Sequence, residues 1–213
     1  MRNMKRNKPI YAFIDASNLF YGGEKSLGWK IDYKKLLNYL KDKYNVSSAF
    51  YYGGIETFGF EYSVLDKKPI DLKKLLDYLK KRLKEPEISE GDIVLIDRNI
   101  QRIKFYLYLE KFGYKIRIKP VKIFINENAK PVKKANCDVD MTFDMMRYME
   151  QYSGLIALTG DGDFTPVLKY LKDHGRDVKI LARGERTARE IKQLAGSDFR
   201  DFNYLREILK YKQ

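Results

Sequence analysis

Short apolar runs alternate with amphipathic ones along most of this chain, and that alternation constrains the fold more than any other feature. "PIYAFID" (Pro9–Asp15), "VSSAFYYGG" (Val46–Gly54), "GLIAL" (Gly154–Leu158) and "DVKILA" (Asp177–Ala182) read as strands. "YKIRIKPVKIF" (Tyr114–Phe124) alternates with period two and reads as another. Between them, "DYKKLLNYLKDKY" (Asp32–Tyr44) and "DLKKLLDYLKKRLK" (Asp71–Lys84) carry leucines at helical spacing. "DIVLID" (Asp92–Asp97) is a short apolar run, and "NIQRIKFYLYLEKFG" (Asn99–Gly113) reads as a helix ending in glycine. Further helices are expected from about Asp138, over Phe164–His174, and once or twice between Thr187 and Tyr211. Strands that alternate with helices predict an α/β fold: a Rossmann-like three-layer sandwich with a mainly parallel central sheet and helices on both faces.

The 213 residues suffice for one substantial core. No repeat or low-complexity linker divides them, so the whole of 1–213 is expected to be one domain. No apolar run approaches the roughly 20 residues of a membrane span. The basic N-terminus runs straight through a short apolar stretch into Asp15, which makes a poor export signal and a cytoplasmic protein the expectation. Cys137 is the single cysteine, which excludes an intramolecular disulfide and a multi-cysteine zinc site. The single histidine, His174, precedes Gly175 at a predicted helix C-terminus, so Cys137 and His174 both read as structural. The balance is strongly basic, with 42 Lys+Arg against 29 Asp+Glu and a formal net charge of +13. Together with 17 Tyr and 12 Phe, this suits a polyanion with bases to stack on.

Against that background, carboxylates gather where the predicted strands end. In parallel sheets ligands bind outside the carboxyl ends of the strands. "IDASNLFYGG" supplies Asp15 and Asn18 there, and "LTGDGDF" supplies Asp161 and Asp163. "KKANCDVDMTFDMMRYM" opens a helix at Asp138. At about 100° per residue, Met141, Thr142, Met145, Met146, Met149, Val139 and Phe143 share an arc with Asp138, while Asp140, Asp144 and Arg147 lie opposite. Asp138 is therefore expected to face inward, as an N-cap or as a partner of the strand-end acids, and Asp140 and Asp144 to face solvent. Converging carboxylates repel one another unless a cation neutralises them. Oxygen donors without cysteine or histidine suit Mg²⁺ or Mn²⁺, which can activate water toward a phosphodiester.

"FIDASNLFY", "KKANCDVDMTFDM" and "LTGDGDFTPVLKYLKDHGRDVKIL" closely resemble the NYN domain, of the LabA/DUF88 type, within the PIN-like nuclease superfamily. The last stretch is the most specific. The resemblance spans about residues 9–55 and 99–200. It implies a PIN-like sheet, a Mg²⁺ or Mn²⁺ site and cleavage of RNA. By motif matching, Asp15, Asn18, Asp138, Asp161 and Asp163 take the catalytic positions, and Asp15, Asp138, Asp161 and Asp163 hold the metal. Asp140, Asp144 and Thr159 take supporting positions around them. Lys133 and Lys134, with Lys119 and Lys122 behind them, are the expected RNA contacts.

Against the family pattern, about 56–98 is expected to be an insertion that includes the leucine-faced helix and its lysines. A solvated polar face, an RNA-guiding wall or a homodimer contact are the readings of it. About 187–213 form a helical C-terminal segment. The leading expectation of function is a metal-dependent endoribonuclease. The alternative is a non-catalytic RNA-binding or adaptor module. The chain lacks "GxxxxGK[ST]" and "GxGxxG", which argues against nucleotide cradling and a small-nucleotide phosphoryl transferase.

Overall fold

The computed structural model describes residues 8–19, 28–63, 65, 69–124 and 132–212. The strands are β1 (Ile10–Asp15), β2 (Val46–Ile55), β3 (Tyr114–Pro120), β4 (Lys122–Phe124), β5 (Val132–Lys134), β6 (Gly154–Leu158), β7 (Asp177–Ala182) and β8 (Phe199–Asp201). Six of them form one sheet in the order β3-β2-β1-β6-β7-β8, with every neighbouring pair parallel. β4 and β5 form a separate antiparallel hairpin. The α/β sandwich expected from the alternation is present.

Period-two alternation sorts the strand side chains between two cores. Ala12 and Ile14 of β1, Ala49 and Tyr51 of β2, and Ile156 and Leu158 of β6 enter the first core. There the helices Tyr33–Tyr44 and Glu90–Phe112 cover them with Leu36, Leu40, Ile103 and Leu109. Phe13, Phe50, Tyr52, Leu155 and Ala157 enter the second core. It is closed by Met141 and Met145 of the Asp138–Arg147 helix, Leu168 and Leu171 of the Thr165–Asp173 helix, and Ile191 of the Arg189–Ala195 helix. Phe13 and Phe50 stack with centroids 5.4 Å apart, a contact worth about 0.5–1.5 kcal/mol beyond its buried area.

Local signals set the helix ends. Asp32 caps the Tyr33–Tyr44 helix by accepting from Lys35 N at 3.0 Å, and Asn45 ends it in a left-handed conformation. Ser89 caps the long helix through Asp92 N at 3.1 Å, and Gly113 ends it at φ 103°. "DIVLID" lies inside this helix, with Ile93 and Val94 exposed and Ile96 buried.

Two predicted elements differ. The single strand expected over Tyr114–Phe124 stops at Pro120, where Val121 N still donates to Ile55 O, and the chain turns away into the β4–β5 hairpin. The segment expected to be helical from Thr187 to Tyr211 also contains β8, which extends the sheet beside β7. Three residues with two charges among them give too little periodicity to read as a strand.

Candidate active site

The strand order fixes where chemistry can gather. The chain runs outward through β1, β2 and β3, then returns to the other side of β1 with β6 and runs outward again through β7 and β8. The order reverses between β1 and β6, and ligands of open parallel sheets bind at such a switch point. Ile14 pairs with Leu158 in the register, so Asp15 and the segment Thr159–Asp163 leave the sheet side by side.

Asp15 is the last residue of β1 and only 7% exposed. Its backbone stays extended at φ −77°, ψ 111°, and its carboxylate accepts from Ser17 N at 2.9 Å and from the backbone amide of Asn18. Burial pushes its carboxyl up to about 6. The two backbone amides pull against that rise, and the charge of Asp138 adds to it.

Asp161 repeats the arrangement on β6. At φ −77°, ψ 124° its carboxylate accepts from Asp163 N at 3.0 Å. The buried Thr159 hydroxyl accepts from Asp161 N at 3.2 Å, which fixes the turn from below. Asp161 is half-buried and Asp163 exposed. Asp138 is half-buried as the first residue of its helix, with Cys137 at the N-cap position and Asn136 Oδ1 accepting from Asp138 N at 2.9 Å. The structure therefore brings Asp138 into electrostatic range of Asp15 and sets Asp161 and Asp163 on the adjoining strand end. Among the described residues, no group of three or more His, Cys, Asp or Glu side chains could hold a metal ion.

Cys137 is buried, and burial first, then the charges of Asp140 and Asp15, push its thiol up to about 12, which keeps it protonated near neutral pH. His174 stacks on Tyr170 with centroids 3.8 Å apart at the end of its helix. Both are structural, as expected.

The Asp138 helix is rotated from the expected orientation. Its buried face is Cys137, Met141, Asp144 and Met145, whereas Val139, Phe143 and Met146 are exposed. Asp144, expected on the solvent face, is 4% exposed. Its carboxylate accepts from Tyr52 Oη at 2.9 Å, Arg117 Nε at 3.1 Å and Arg147 Nη2 at 2.6 Å. The reason is compensation: two guanidinium groups and a hydroxyl let a carboxylate occupy a position that hydrophobicity alone assigns to an apolar residue. Burial and the Asp144 charge together keep the Tyr52 hydroxyl protonated. Asp140 is exposed, as expected, and its Oδ2 accepts from Lys119 Nζ at 2.7 Å. Lys119 is thus held in an ion pair. Lys122 and Lys134 are register partners in the β4–β5 hairpin, and Lys133 is opposite Ile123. The hairpin follows β3 and leads through Ala135–Cys137 into Asp138.

One acidic residue beside the site was missed. The Glu190 carboxylate lies against Gly162, between Asp161 and Asp163, so closely that a Cβ at 162 would collide with it. It belongs to the segment that follows β7, the next strand end along, and the strand-end rule applied to "ARGERTARE" would have found it. Two clefts among the described residues lie away from these acids. One of 330 Å³, lined by Ile10, Tyr44, Leu155 and Asp177 among others, opens at the amino edge of the sheet. It is on the opposite edge of the sheet from Asp15 and Asp161.

The NYN domain family model matches residues 57–203, and the chain belongs to the NYN domain family. It is 25% identical over 209 residues to the low amplitude and bright protein LabA of Synechococcus elongatus, covering 96% of this chain and 89% of that one. The fold is shared with a crystal structure of a protein of unknown function from Vibrio parahaemolyticus, at TM-score 0.58 and 17% identity over 90% of this chain and 91% of that one. The flap endonuclease of bacteriophage T5 overlaps 88% of this chain and 60% of its own at TM-score 0.44 and 12% identity, too loose a likeness to bear on function. No helix among the described residues is long and apolar enough to cross a membrane.

Proposed function

We propose that the chain is a metal-dependent endoribonuclease that hydrolyses RNA phosphodiester bonds at the carboxyl edge of β1 and β6. One observation carries this reading. Asp15 is buried at the switch point beside the end of β6 and within electrostatic range of Asp138, and burial, with a smaller contribution from the Asp138 charge, brings its carboxyl up to about 6. A hard divalent cation would add to the two backbone amides that already offset the buried Asp15 charge. Mg²⁺ is commonly held by only one or two carboxylates together with waters and substrate oxygens, so the donor set fits without a third acid in the cluster. Asp15 and Asp138 would hold the ion, with Asp161 and Asp163 beside them on the neighbouring strand end. When bound, Mg²⁺ or Mn²⁺ lowers the pKa of a coordinated water and neutralises charge developing on the phosphodiester.

The chain's own residues position and restrain. The Ser17 and Asn18 amides hold the Asp15 carboxylate against the strand end, so its orientation is set before substrate arrives. Asp163 N does the same for Asp161. The basic balance of the chain and its family membership support an anionic polymer as substrate. Incubation of the purified protein with single-stranded and structured RNA in Mn²⁺, Mg²⁺ or EDTA tests the reading. Cleavage should require the metal and vanish in folded Asp15→Asn and Asp161→Asn variants. Full activity in both variants would overturn it.

The second reading is a non-catalytic RNA-binding module. It is favoured by the lack, among the described residues, of a three-carboxylate group able to hold a metal. RNA binding without cleavage in either metal would establish it.

A further inference from the structure

The segment between β2 and the long helix stands beyond the carboxyl edge of the sheet. Glu56 is the first residue past β2, and its backbone N–H donates to Asn99 Oδ1 at 3.2 Å, which places Asn99 level with that edge. The helix Glu90–Phe112 runs from there down to the start of β3, so its part before Asn99 projects past the sheet by about 14 Å at 1.5 Å per residue. The helix Leu72–Arg82 packs with it in the first core, burying Leu72, Leu75 and Leu79 in the cluster that contains Ile96 and Ile100. Tyr78 ties the pair to the loop after β2 by donating to Phe58 O at 3.0 Å.

The leucine periodicity that buries one side of the Leu72–Arg82 helix leaves Lys73, Lys74, Lys80 and Lys81 exposed on the other, with Lys84 just beyond its end. Among the described residues none of these five lysines forms an ion pair. Asp77 is the acid within that face, Asp71 caps the helix by accepting from Lys73 N and Lys74 N, and the acids Glu85, Glu87, Glu90 and Asp92 are confined to the turn and the start of the next helix. Lysines that neutralise one another's neighbours are ordinary surface chemistry. A stripe with one acid among five unpaired ammonium groups is instead a local field that a polyanion would satisfy.

We propose that this helical pair is a nucleic-acid arm, and that the stripe Lys73, Lys74, Lys80, Lys81 and Lys84 binds the sugar–phosphate backbone of an RNA strand at phosphates away from the acidic edge. Charge complementarity selects the occupant, since the stripe offers point charges at successive helical turns and no apolar groove. The inference deepens the nuclease reading and rests on it for what occupies the acidic edge. The binding itself is separable from cleavage.

The test uses the full chain in EDTA, where cleavage is silent, and a fluorescein-labelled uridine oligonucleotide of about 30 nucleotides, with affinity measured by anisotropy between roughly 50 and 300 mM KCl. The probe variant is Lys73→Gln/Lys74→Gln/Lys80→Gln/Lys81→Gln, with the corresponding fourfold Lys→Arg protein as its charge-preserving partner. All four positions are exposed, and circular dichroism verifies the fold. Each lost phosphate contact removes about 0.7 from the log–log salt slope, so three lost contacts lower it by about 2 and weaken binding at 100 mM KCl by at least about tenfold. The arginine protein should keep the wild-type slope. An unchanged slope and affinity in the glutamine variant would overturn the proposal, as would a wild-type protein that does not bind the RNA. A loss confined to phosphatidylserine vesicles would replace it with a membrane surface. Stripe-dependent binding by a wild-type protein that never cleaves in Mn²⁺ would sink the nuclease reading and leave the arm standing.

Discussion

Asp144 and Arg117 meet across two elements, Nε of Arg117 on β3 donating at 3.1 Å to the buried carboxylate of Asp144 on the Asp138–Arg147 helix. This bond docks the helix whose first residue faces Asp15 onto the sheet. Asp144→Ala would strand the Tyr52 hydroxyl and the Arg117 and Arg147 guanidinium groups, which are themselves partly hydrated. The expected loss is about 2 kcal/mol, less than for a fully buried pair, and about 5 °C in Tm. Asp138→Ala, outside that network, should lower Tm less than Asp144→Ala does and weaken Mn²⁺ binding. Thermal melts and calorimetric titration of both variants check the contrast, and equal melting temperatures would mean that the Asp144 network is not what holds the helix.

Asp15 gives a pH dependence with a definite sign. Its folded pKa of about 6 lies above the ordinary 3.8, so between those values the native state holds more protons than the unfolded chain. Stability from this group therefore falls as pH rises through that window. Below about pH 4 the group contributes nothing, and above about pH 6 its ionisation costs up to about 3 kcal/mol. Asp15→Asn should melt higher than the wild type at pH 7.5 in EDTA, with the gap closing by pH 4. A gap of the same size at both pH values would assign the effect to packing.

Metal addition should reverse that cost. A cation bound by Asp15 displaces its proton, so Mn²⁺ binding at pH 6 should release about half a proton per chain, and almost none at pH 8. Titration calorimetry in two buffers of different ionisation enthalpy reads the release. None at pH 6, with heat of binding still present, would place the ion elsewhere.

Two glycines of "TGDGD" differ in what they face. A Cβ at Gly160 would stand 2.7 Å from Thr187 Oγ1 and 3.0 Å from the Thr187 Cα, and backbone yields little. Gly160→Ala should cost about 1–3 kcal/mol. At Gly162 the obstacle is the tip of the exposed Glu190 side chain, which can swing away. Gly162→Ala should lose under about 1 kcal/mol while displacing Glu190 from Asp161 and Asp163. Denaturant unfolding of the two proteins decides the ranking.

Much of the scaffold was legible because the pattern that names an element is also what buries it. Gly154–Leu158 and Asp177–Ala182 were readable to the residue as apolar runs between turn signals, and both are strands over those spans. The juxtaposition of Asp15 with Asp161 followed from the parallel order alone, since acids after neighbouring strands share an edge. The face of the Asp138 helix was not legible, because Val139, Phe143 and Met146 look like core while Asp144 looks like surface. The partners that reverse this, Arg117 and Tyr52, are far away in sequence. Glu190 was hidden for a related reason: its neighbourhood with Gly162 exists only once the Arg189–Ala195 helix has docked.

The switch point also has a consequence for the order of folding. β1 can pair with β2, and β2 with β3, once the chain has reached Pro120, but the other neighbour of β1, β6, ends only at Leu158. Until β6 and the helices around it arrive, one edge of β1 is unpaired and the face bearing Phe13, Phe50 and Tyr52 is uncovered. Contacts of such long sequence separation form late and slowly, and the half-built sheet is the aggregation-prone species of this chain. Asp15 and Asp161 meet at that same late step. A nascent or partly unfolded chain therefore has one half of the acidic edge without the other, and the edge is assembled only in a completed domain.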